Sequence, residues 1–201
     1  THMADGYARA SNQPGVIIAG QNGPGATNLV TGLAQAKAAF SPVVSLAGLY
    51  STKDKMEDAF QGLDQQSLFE PVTKKTITLK NSKNIPNAIS DGFNVAMSPR
   101  RGPVCINLPR NLLAEKNNYK INEKIKSFKN TNNTQSNPSS IKRAAKLISN
   151  SSKGIIIVGG GIKYTSGFKP VIELAEYLNV PIVTAAGHGD AIPFNHKLNA
   201  G

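Results

Sequence analysis

The chain has 201 residues, of which 39% are hydrophobic, and carries a formal net charge of +11. That length suits one large or two small domains, and the lysines are spread along the chain without an arginine-rich block, so we expect no nucleic-acid partner. The single cysteine, Cys105, lies in an apolar run, which excludes a disulfide framework and a cysteine-based metal site and favours a reducing, cytoplasmic compartment. No apolar run is long enough to span a bilayer and there is no signal peptide, so we expect no membrane partner.

The first residues already have the pattern of a helix. Residues 2–11 place Ala4, Tyr7 and Ala8 on one side, with neither a capping residue nor an entry turn before them. The last residues, from His196 onward, likewise stop without closing an element. We therefore expect the chain to be an internal piece of a longer protein.

A continuous apolar run over residues 16–19 predicts a strand that is buried on both faces of a parallel sheet. A helical pattern follows over residues 29–40. The apolar residues at helical spacing in and just before this segment are Ala26, Leu29, Val30, Leu33 and Ala34. Many of them are small, which indicates close packing of the helix on the sheet.

The loop between this strand and helix, from Ala19 to Asn28, is the first candidate site. Gly23 and Gly25 let the chain turn sharply and let a ligand approach the backbone, while Pro24 stiffens the turn. We expect Asn28 in the first helical turn, where its amide points back into the loop and unpaired N–H groups favour an electron-rich ligand. The alternative is a strand-to-helix turn that binds nothing.

The rest of the first half continues the alternation of strands and helices. Residues 42–47 and 103–108 predict buried strands, and residues 76–79 alternate as an edge strand does. Residues 85–97 carry a helical stripe. Residues 59–69 are rich in glutamine among apolar residues; a buried loop of this kind usually lines something polar, although surface glutamine is more common. Together these elements predict an open, mainly parallel α/β sheet with helices on both faces.

A polar stretch rich in Lys, Asn, Thr and Ser marks the predicted domain boundary. We assign residues 1–115 to a first domain, 116–137 to a solvated linker and 138–201 to the start of a second α/β domain. The second domain has predicted strands at 155–158 and 181–184, with Pro170 in the first turn of the helix between them. Its first helix carries the apolar stripe Ile141, Ala144, Ala145 and Ile148.

Two weaker motifs lie in the second domain. The turn Gly159-Gly-Gly161 is followed by Ile162-Lys-Tyr-Thr-Ser-Gly167, so it lacks the spacing of the dinucleotide fingerprint, and a structural turn is favoured over a flavin or nucleotide contact. His188 and His196 have no acidic or cysteine cluster around them in sequence, so we expect no metal there. In the first domain, Asp5 and Arg9 are spaced for a helical ion pair.

Five separated motifs of the chain together resemble the thiamine-diphosphate enzymes of the acetolactate synthase type. In order, they are His2-Met-Ala-Asp-Gly-Tyr-Ala-Arg9, Gly23-Pro-Gly-Ala-Thr-Asn-Leu-Val-Thr-Gly-Leu33, Pro42-Val-Val, Phe60-Gln61 and Gly102-Pro-Val-Cys-Ile-Asn-Leu-Pro-Arg110. The Gly159–161 turn and residues 178–183 are similar to the central domain of that family. Gln21-Asn22 and residues 2–5 resemble its sulfoacetaldehyde acetyltransferase branch, from which residues 52–69 depart.

The resemblance implies a pyrimidine-binding domain that lacks its start and a central domain that lacks its end. It implies thiamine diphosphate with Mg²⁺ as cofactor, with the diphosphate and magnesium ligands in a further C-terminal domain outside this chain. The glutamate that activates the cofactor's aminopyrimidine is expected upstream of His2, so no catalytic residue lies in this chain. Whether the central domain holds FAD or a nucleotide stays open.

The residues that the resemblance assigns to the site form a supporting shell. Asn22, Gly23, Pro24, Gly25 and Asn28 would frame the pyrimidine ring of the cofactor. Phe60 and Gln61 would face the thiazolium ring and the substrate, with Gln61 able to donate a hydrogen bond to an intermediate. The alternatives are a tight turn, a core aromatic residue and a surface amide, respectively.

The expected function is a fragment of a carboligase or decarboxylase that acts on pyruvate-like 2-oxo acids. The alternatives are a sulfoacetaldehyde acetyltransferase and, from another class, a non-catalytic basic α/β binding module. We expect a small-molecule substrate and a homodimeric or homotetrameric full-length protein. The fragment alone is expected to be inactive.

Overall fold

The computed structural model describes residues 1–119, 136–164 and 167–201. The chain divides into two compact units, Thr1–Lys129 and Asn130–Gly201. Most of the predicted linker, residues 120–135, lies outside the described residues, so the limits 116–137 stay a prediction. Within the described residues, none of the helices combines the length and the apolar character that crossing a membrane requires.

The first unit alternates strands and helices, as the sequence predicts. The helices are α1 (His2–Ser11), α2 (Pro24–Thr27), α3 (Val30–Ala38), α4 (Gln65–Phe69), α5 (Ile85–Met97) and α6 (Arg110–Leu113). The strands are β1 (Gly15–Ala19), β2 (Val43–Leu49), β3 (Lys75–Thr78) and β4 (Val104–Pro109).

The four strands form one parallel sheet in the order β1-β2-β4-β3. The predicted edge position of β3 is therefore confirmed. Because side chains alternate along each strand, the sheet has two faces with separate cores. On one face, Leu33 and Phe69 pack with Val43 and Cys105, whereas on the other face α5 covers Val44 and Ile106.

The prediction that β1 is buried on both faces is wrong. Val16 and Ile18 are 48% and 68% exposed. They pair with Val44 and Leu46, whose face is covered by α5, but among the strands α5 packs chiefly against β2, β3 and β4. An apolar run thus predicts the strand, while its position at the edge of the sheet decides how much of it is covered.

The helix predicted over residues 29–40 corresponds to α3, Val30–Ala38, and a separate short helix, α2, precedes it. The chain turns at Asn28 and Leu29 between α2 and α3, so Asn28 caps the end of α2 instead of starting a long helix. Ala34 is exposed and Ala36 is buried in its place. In α1, Ala4 and Ala8 are buried as predicted, whereas Tyr7 is exposed.

The predicted ion pair on α1 is confirmed. Asp5 is buried, and its two carboxylate oxygens accept hydrogen bonds of 2.9 Å each from Nε and Nη2 of Arg9. Such bidentate geometry fixes both side chains. The pair therefore links two successive turns of α1.

Cys105 is buried in the centre of the sheet, as predicted. Burial raises the pKa of its thiol to about 12, although a contact with Ser45 lowers it in part. Because the thiolate is the reactive form, we expect native protein at neutral pH to resist alkylation by iodoacetamide, while denatured protein reacts fully. Mass spectrometry measures both samples, and equal labelling rates in the two would contradict this burial.

The second unit is a smaller α/β layer. It contains α7 (Pro138–Ser149), β5 (Ile156–Val158), α8 (Phe168–Leu178) and β6 (Ile182–Thr184), and β5 pairs with β6 in parallel. Its core residues are Val158, Ala175, Ile182, Ala191 and Ile192. The helix begins at Phe168, so Pro170 lies in its first turn, as the sequence predicts.

The apolar stripe of α7 is not part of this core. The helix has the predicted period, yet none of its residues is buried, and Ile141 and Ile148 are exposed. Ile157 on β5 and Ile155 just before it are exposed as well. Helical period therefore predicts the element correctly here but not its burial.

Candidate functional site

The candidate site lies where β1 and β2 end. Carboxyl ends of parallel strands lie at one edge of a sheet, and ligands of open α/β folds bind in the crevice outside that edge. The chain leaves β1 through residues 20–25, which we call the Gly-Pro-Gly loop. This loop lies against residues 60 and 61, which belong to the segment between β2 and α4.

Hydrogen bonds join the loop to this segment. The Asn22 side-chain amide donates to the carbonyl oxygen of Phe60 at 2.9 Å and to that of Gln61 at 3.0 Å. The Gln21 amide nitrogen donates to Oε1 of Gln61. The structure therefore brings together two predicted groups of site residues that are almost forty positions apart in sequence.

Gly23 needs to be glycine at this contact. Its φ is 56°, a conformation that a side chain makes unfavourable. A Cβ added there would lie 2.7 Å from the carbonyl oxygen of Gln61 and 2.9 Å from the Gln61 Cβ. At Gly25 an added Cβ would lie 2.7 Å from the Cβ of Gln21. The absence of side chains thus permits the close approach of the two segments.

Pro24 and Asn28 belong to the short helix α2. Pro24 is its first residue, and its carbonyl oxygen accepts a hydrogen bond of 3.0 Å from the Asn28 amide. The Asn28 side chain thus closes the turn that carries the loop. The sequence prediction that Asn28 points back towards the loop agrees with this bond, although its position in a long helix does not.

Phe60 and Gln61 have unusual exposure and backbone geometry. The Phe60 side chain is 75% exposed beside the loop, so it is not the core aromatic residue that the structural alternative required. Gln61 has a φ of 55°, which only a few per cent of non-glycine residues adopt, mostly in turns and functional sites. The Gln61 amide oxygen accepts the hydrogen bond from Gln21. Its amide NH2 group is the part that can donate to a ligand.

The loop itself is electrically neutral. No ionisable side chain occurs between Ala19 and Asn28. Helix α2 has four residues, too few for a strong macrodipole, and the Gly23 N–H at its start donates to Oε1 of Gln65 at 3.2 Å. The surface therefore suits a flat, polar but uncharged group more than a phosphate.

Comparison with known proteins gives the family of the chain. A family model described as "Thiamine pyrophosphate enzyme, N-terminal TPP binding domain" matches residues 1–68, and one described as "Thiamine pyrophosphate enzyme, central domain" matches residues 141–201. The chain belongs to the thiamine pyrophosphate enzymes. It carries parts of their N-terminal and central domains, in that order.

Curated relatives of this thiamine pyrophosphate enzyme chain are acetolactate synthase large subunits. A probable acetolactate synthase large subunit of Methanococcus aeolicus is 39% identical over 203 residues, which covers 100% of this chain and 34% of the relative. Acetolactate synthase isozyme 3 large subunit of Escherichia coli K12 is 35% identical over 202 residues, covering 100% of this chain and 35% of the relative. The chain spans about a third of the length of these relatives.

A solved structure agrees with the fold. The X-ray structure of a protein from Mycobacterium smegmatis, described as a thiamin diphosphate-dependent enzyme, superposes with a TM-score of 0.75. The match covers 92% of this chain and 35% of the other, at 21% sequence identity. At that identity the likeness supports the α/β architecture and nothing finer.

The family cofactor can be tested against the loop. The loop has no ionisable side chain and the neighbouring Phe60 ring is exposed, so the site offers an uncharged surface beside an exposed aromatic ring. These properties fit the aminopyrimidine part of thiamine diphosphate. They do not fit its diphosphate part, for which this loop offers no cationic side chain.

Sequence reasoning missed three residues that support the site. Gln65, Asn107 and Gly48 are joined by hydrogen bonds behind the loop. The available signals were the cluster of glutamines after Phe60 and an asparagine within the apolar strand β4. A polar residue within a buried strand requires a partner, because an unpaired buried amide is costly.

The helix that begins at Gln65 is capped by Asp64. Its carboxylate accepts hydrogen bonds from Oγ of Ser67 at 2.5 Å and from N of Ser67 at 3.1 Å. These bonds, chiefly the one from the Ser67 hydroxyl, lower the pKa of Asp64 below 3.8. The carboxylate thus stabilises the start of α4 in its ionised form.

We expect this stabilisation to be present above pH 3.8 and to be lost as the pH falls through the lowered pKa of Asp64 in the folded state. Asp64→Ala should therefore lower the thermal midpoint at neutral pH, and the gap to the wild type should narrow in acid. Asp58→Ala, at another exposed carboxylate, is the control and should show no such narrowing. A difference in thermal midpoint between wild type and Asp64→Ala that does not change with pH would contradict a capping role for the ionised carboxylate.

The second unit offers no comparable site among the residues described. The ring of His188 lies against the Gly159–161 turn, so close that a Cβ on Gly160 would be 2.5 Å from its Cε1. His196 contacts Glu176 at 3.3 Å. In residues 1–119, 136–164 and 167–201, no three His, Cys, Asp or Glu side chains gather as a metal site requires.

Proposed function

We propose that the full-length protein containing this chain is a thiamine-diphosphate-dependent acetolactate synthase. In that reaction two pyruvate molecules and one proton give acetolactate and carbon dioxide. The observation that carries the proposal is the contact between the Gly-Pro-Gly loop and residues 60–61 at the edge of the sheet. The names of the relatives, all acetolactate synthases, support the choice of substrate.

In this proposal the loop holds one end of the cofactor. The backbone of Gly23, Pro24 and Gly25 would lie against the flat aminopyrimidine ring, and Asn22 and Asn28 would keep the loop in shape through their hydrogen bonds. Thiamine diphosphate, when bound, supplies carbanion chemistry at the carbonyl carbon of a 2-oxo acid, which amino-acid side chains do not provide.

The residues at positions 60 and 61 would act on the substrate side. The exposed Phe60 ring would shield the reacting carbon from water, and the amide NH2 group of Gln61 would donate to an oxygen of the substrate. The left-handed backbone of Gln61 sets the direction of that amide. The activating glutamate and the ligands of Mg²⁺ and diphosphate would come from parts of the protein outside this chain.

The remaining expectations about the whole protein are part of the same proposal. It would work in the cytoplasm as a homodimer or homotetramer on a small-molecule substrate. The central domain would hold FAD or a nucleotide only if the Gly159–161 turn contributes to such a site. None of these properties depends on the geometry of the Gly-Pro-Gly loop.

The test is an assay of the purified full-length protein with pyruvate, Mg²⁺ and thiamine diphosphate. We expect acetolactate to form only when the cofactor is added, and the same protein to release no sulfite from sulfoacetaldehyde and phosphate. Sulfite release with acetyl phosphate formation would favour the acetyltransferase instead. Salt-dependent DNA binding without turnover of either substrate would favour the binding module.

A further inference from the structure

Gln65 is a buried amide directly behind the Gly-Pro-Gly loop. Its side chain is 1% exposed and makes three hydrogen bonds. Its Oε1 accepts from the Gly23 N–H at 3.2 Å, and its Nε2 donates to the Gly48 carbonyl at 3.0 Å and to Oδ1 of Asn107 at 3.1 Å. One side chain thus connects the loop to the ends of two strands.

The connection continues into the sheet. Asn107 is fully buried in β4, and its Nδ2 donates to Oγ1 of Thr78 at 3.0 Å. The Thr78 hydroxyl then donates to Oε1 of Gln66 at 2.7 Å. This series of hydrogen bonds therefore begins and ends on α4 and passes through β4 and β3.

The chemistry of this position requires glutamine. The Gly23 N–H needs an acceptor, while the Gly48 carbonyl and the Asn107 oxygen need a donor. A primary amide offers both at one carbon. An apolar side chain of the same length would leave the Gly23 N–H without this acceptor and would take one donor each from the Gly48 carbonyl and the Asn107 oxygen, and a lost partner for a buried polar group is costly.

We propose that Gln65 is a positioning residue that fixes the Gly-Pro-Gly loop in the conformation that receives the cofactor. It draws the Gly23 N–H into the protein, and so it selects the left-handed backbone of Gly23 and the direction of the residues after it. Gln65 acts through Gly23. This inference rests on the proposed function for its ligand, but the effect on the loop is independent of any ligand.

The first experiment measures the loop without cofactor. Hydrogen exchange followed by mass spectrometry compares residues 21–26 in the full-length wild type and in Gln65→Met. We expect exchange roughly tenfold faster in the variant, because the Gly23 N–H loses its acceptor. Unchanged exchange would overturn the positioning role and leave the proposed function standing.

The second experiment measures thiamine diphosphate binding by calorimetry in the presence of Mg²⁺. We expect Gln65→Met to raise the Kd about tenfold, with the KM for pyruvate at saturating cofactor changed less than twofold. Leu68→Ala is the matched control: Leu68 is on the same helix and packs on the core, and its apolar side chain cannot hydrogen-bond to the loop. Equal increases of Kd in both variants would show a general effect of lost stability and overturn the proposal.

Two further outcomes are distinguishable. The wild type could fail to bind thiamine diphosphate while residues 21–26 exchange faster in Gln65→Met than in the wild type. In that case the proposed function fails and the positioning role stands. If Gln65→Met does not fold, Gln65→Asn replaces it in both experiments, because its shorter amide remains polar but cannot reach Gly23. If Gln65→Asn has the same hydrogen exchange in residues 21–26 and the same Kd for thiamine diphosphate as the wild type, the proposal is overturned.

Discussion

Replacing Gly23 by alanine is expected to lower the affinity of the full-length protein for thiamine diphosphate at least about tenfold. A non-glycine residue at the Gly23 conformation, with φ 56° and ψ −112°, costs about 1–3 kcal/mol. The new Cβ would also lie 2.7 Å from the carbonyl oxygen of Gln61, and relief of such a contact typically costs about 1–3 kcal/mol. The loop would have to move away from residues 60 and 61, which are the other half of the proposed site.

Calorimetric titration of the cofactor in the presence of Mg²⁺ measures this change. Gly20→Ala is the matched control, because Gly20 is in the same loop and a Cβ there would have no atom within 4 Å. We expect the control to bind like the wild type. Equal affinities of Gly23→Ala and wild type would show that the geometry of this loop is irrelevant to the cofactor.

Replacing Gly48 by alanine is expected to have a large effect on stability. The added Cβ would lie 2.2 Å from the carbonyl oxygen of Gly20, which is backbone and cannot rotate away. The ends of β1 and β2 would have to separate, at a cost of about 3 kcal/mol, the upper end of the usual range for overpacking. We expect the thermal midpoint of this domain to fall by roughly 5–10 °C.

Differential scanning calorimetry of the full-length protein checks this prediction. Gly6→Ala is the control, because Gly6 is in the exposed part of α1 and an added Cβ there meets no atom within 4 Å. Alanine in place of glycine inside a helix usually stabilises by about 0.5–1 kcal/mol. A Gly48→Ala midpoint equal to that of the control would show that β1 and β2 do not approach as described.

Much of the fold follows from local sequence patterns. The apolar runs that end at Ala47 and Leu108 predict buried strands, and both are central in the sheet. The run at Val16 predicts its strand equally well, but it does not predict that Val16 and Ile18 are exposed. Their burial depends on whether a helix covers that face of the edge strand, which a local pattern does not show. The same reason explains α7, whose stripe has the right period while none of its residues is buried.

The site was only half predictable. The glycines and proline of the loop carry a local signal, since few other residues permit such a turn. That Asn22 binds the backbone of Phe60 and Gln61 depends on contacts across almost forty residues, for which a single sequence offers no local pattern. The role of Gln65 was hidden for the same reason, because its partners lie in three different elements.

The most direct test of the central claim is a structure of the full-length protein with thiamine diphosphate and Mg²⁺ bound. We predict that the aminopyrimidine ring lies within van der Waals contact, ~4 Å, of the backbone at Gly23 or Gly25. Phe60 and Gln61 should then be on the side of the thiazolium ring. A cofactor bound with its ring away from the Gly-Pro-Gly loop would contradict the account.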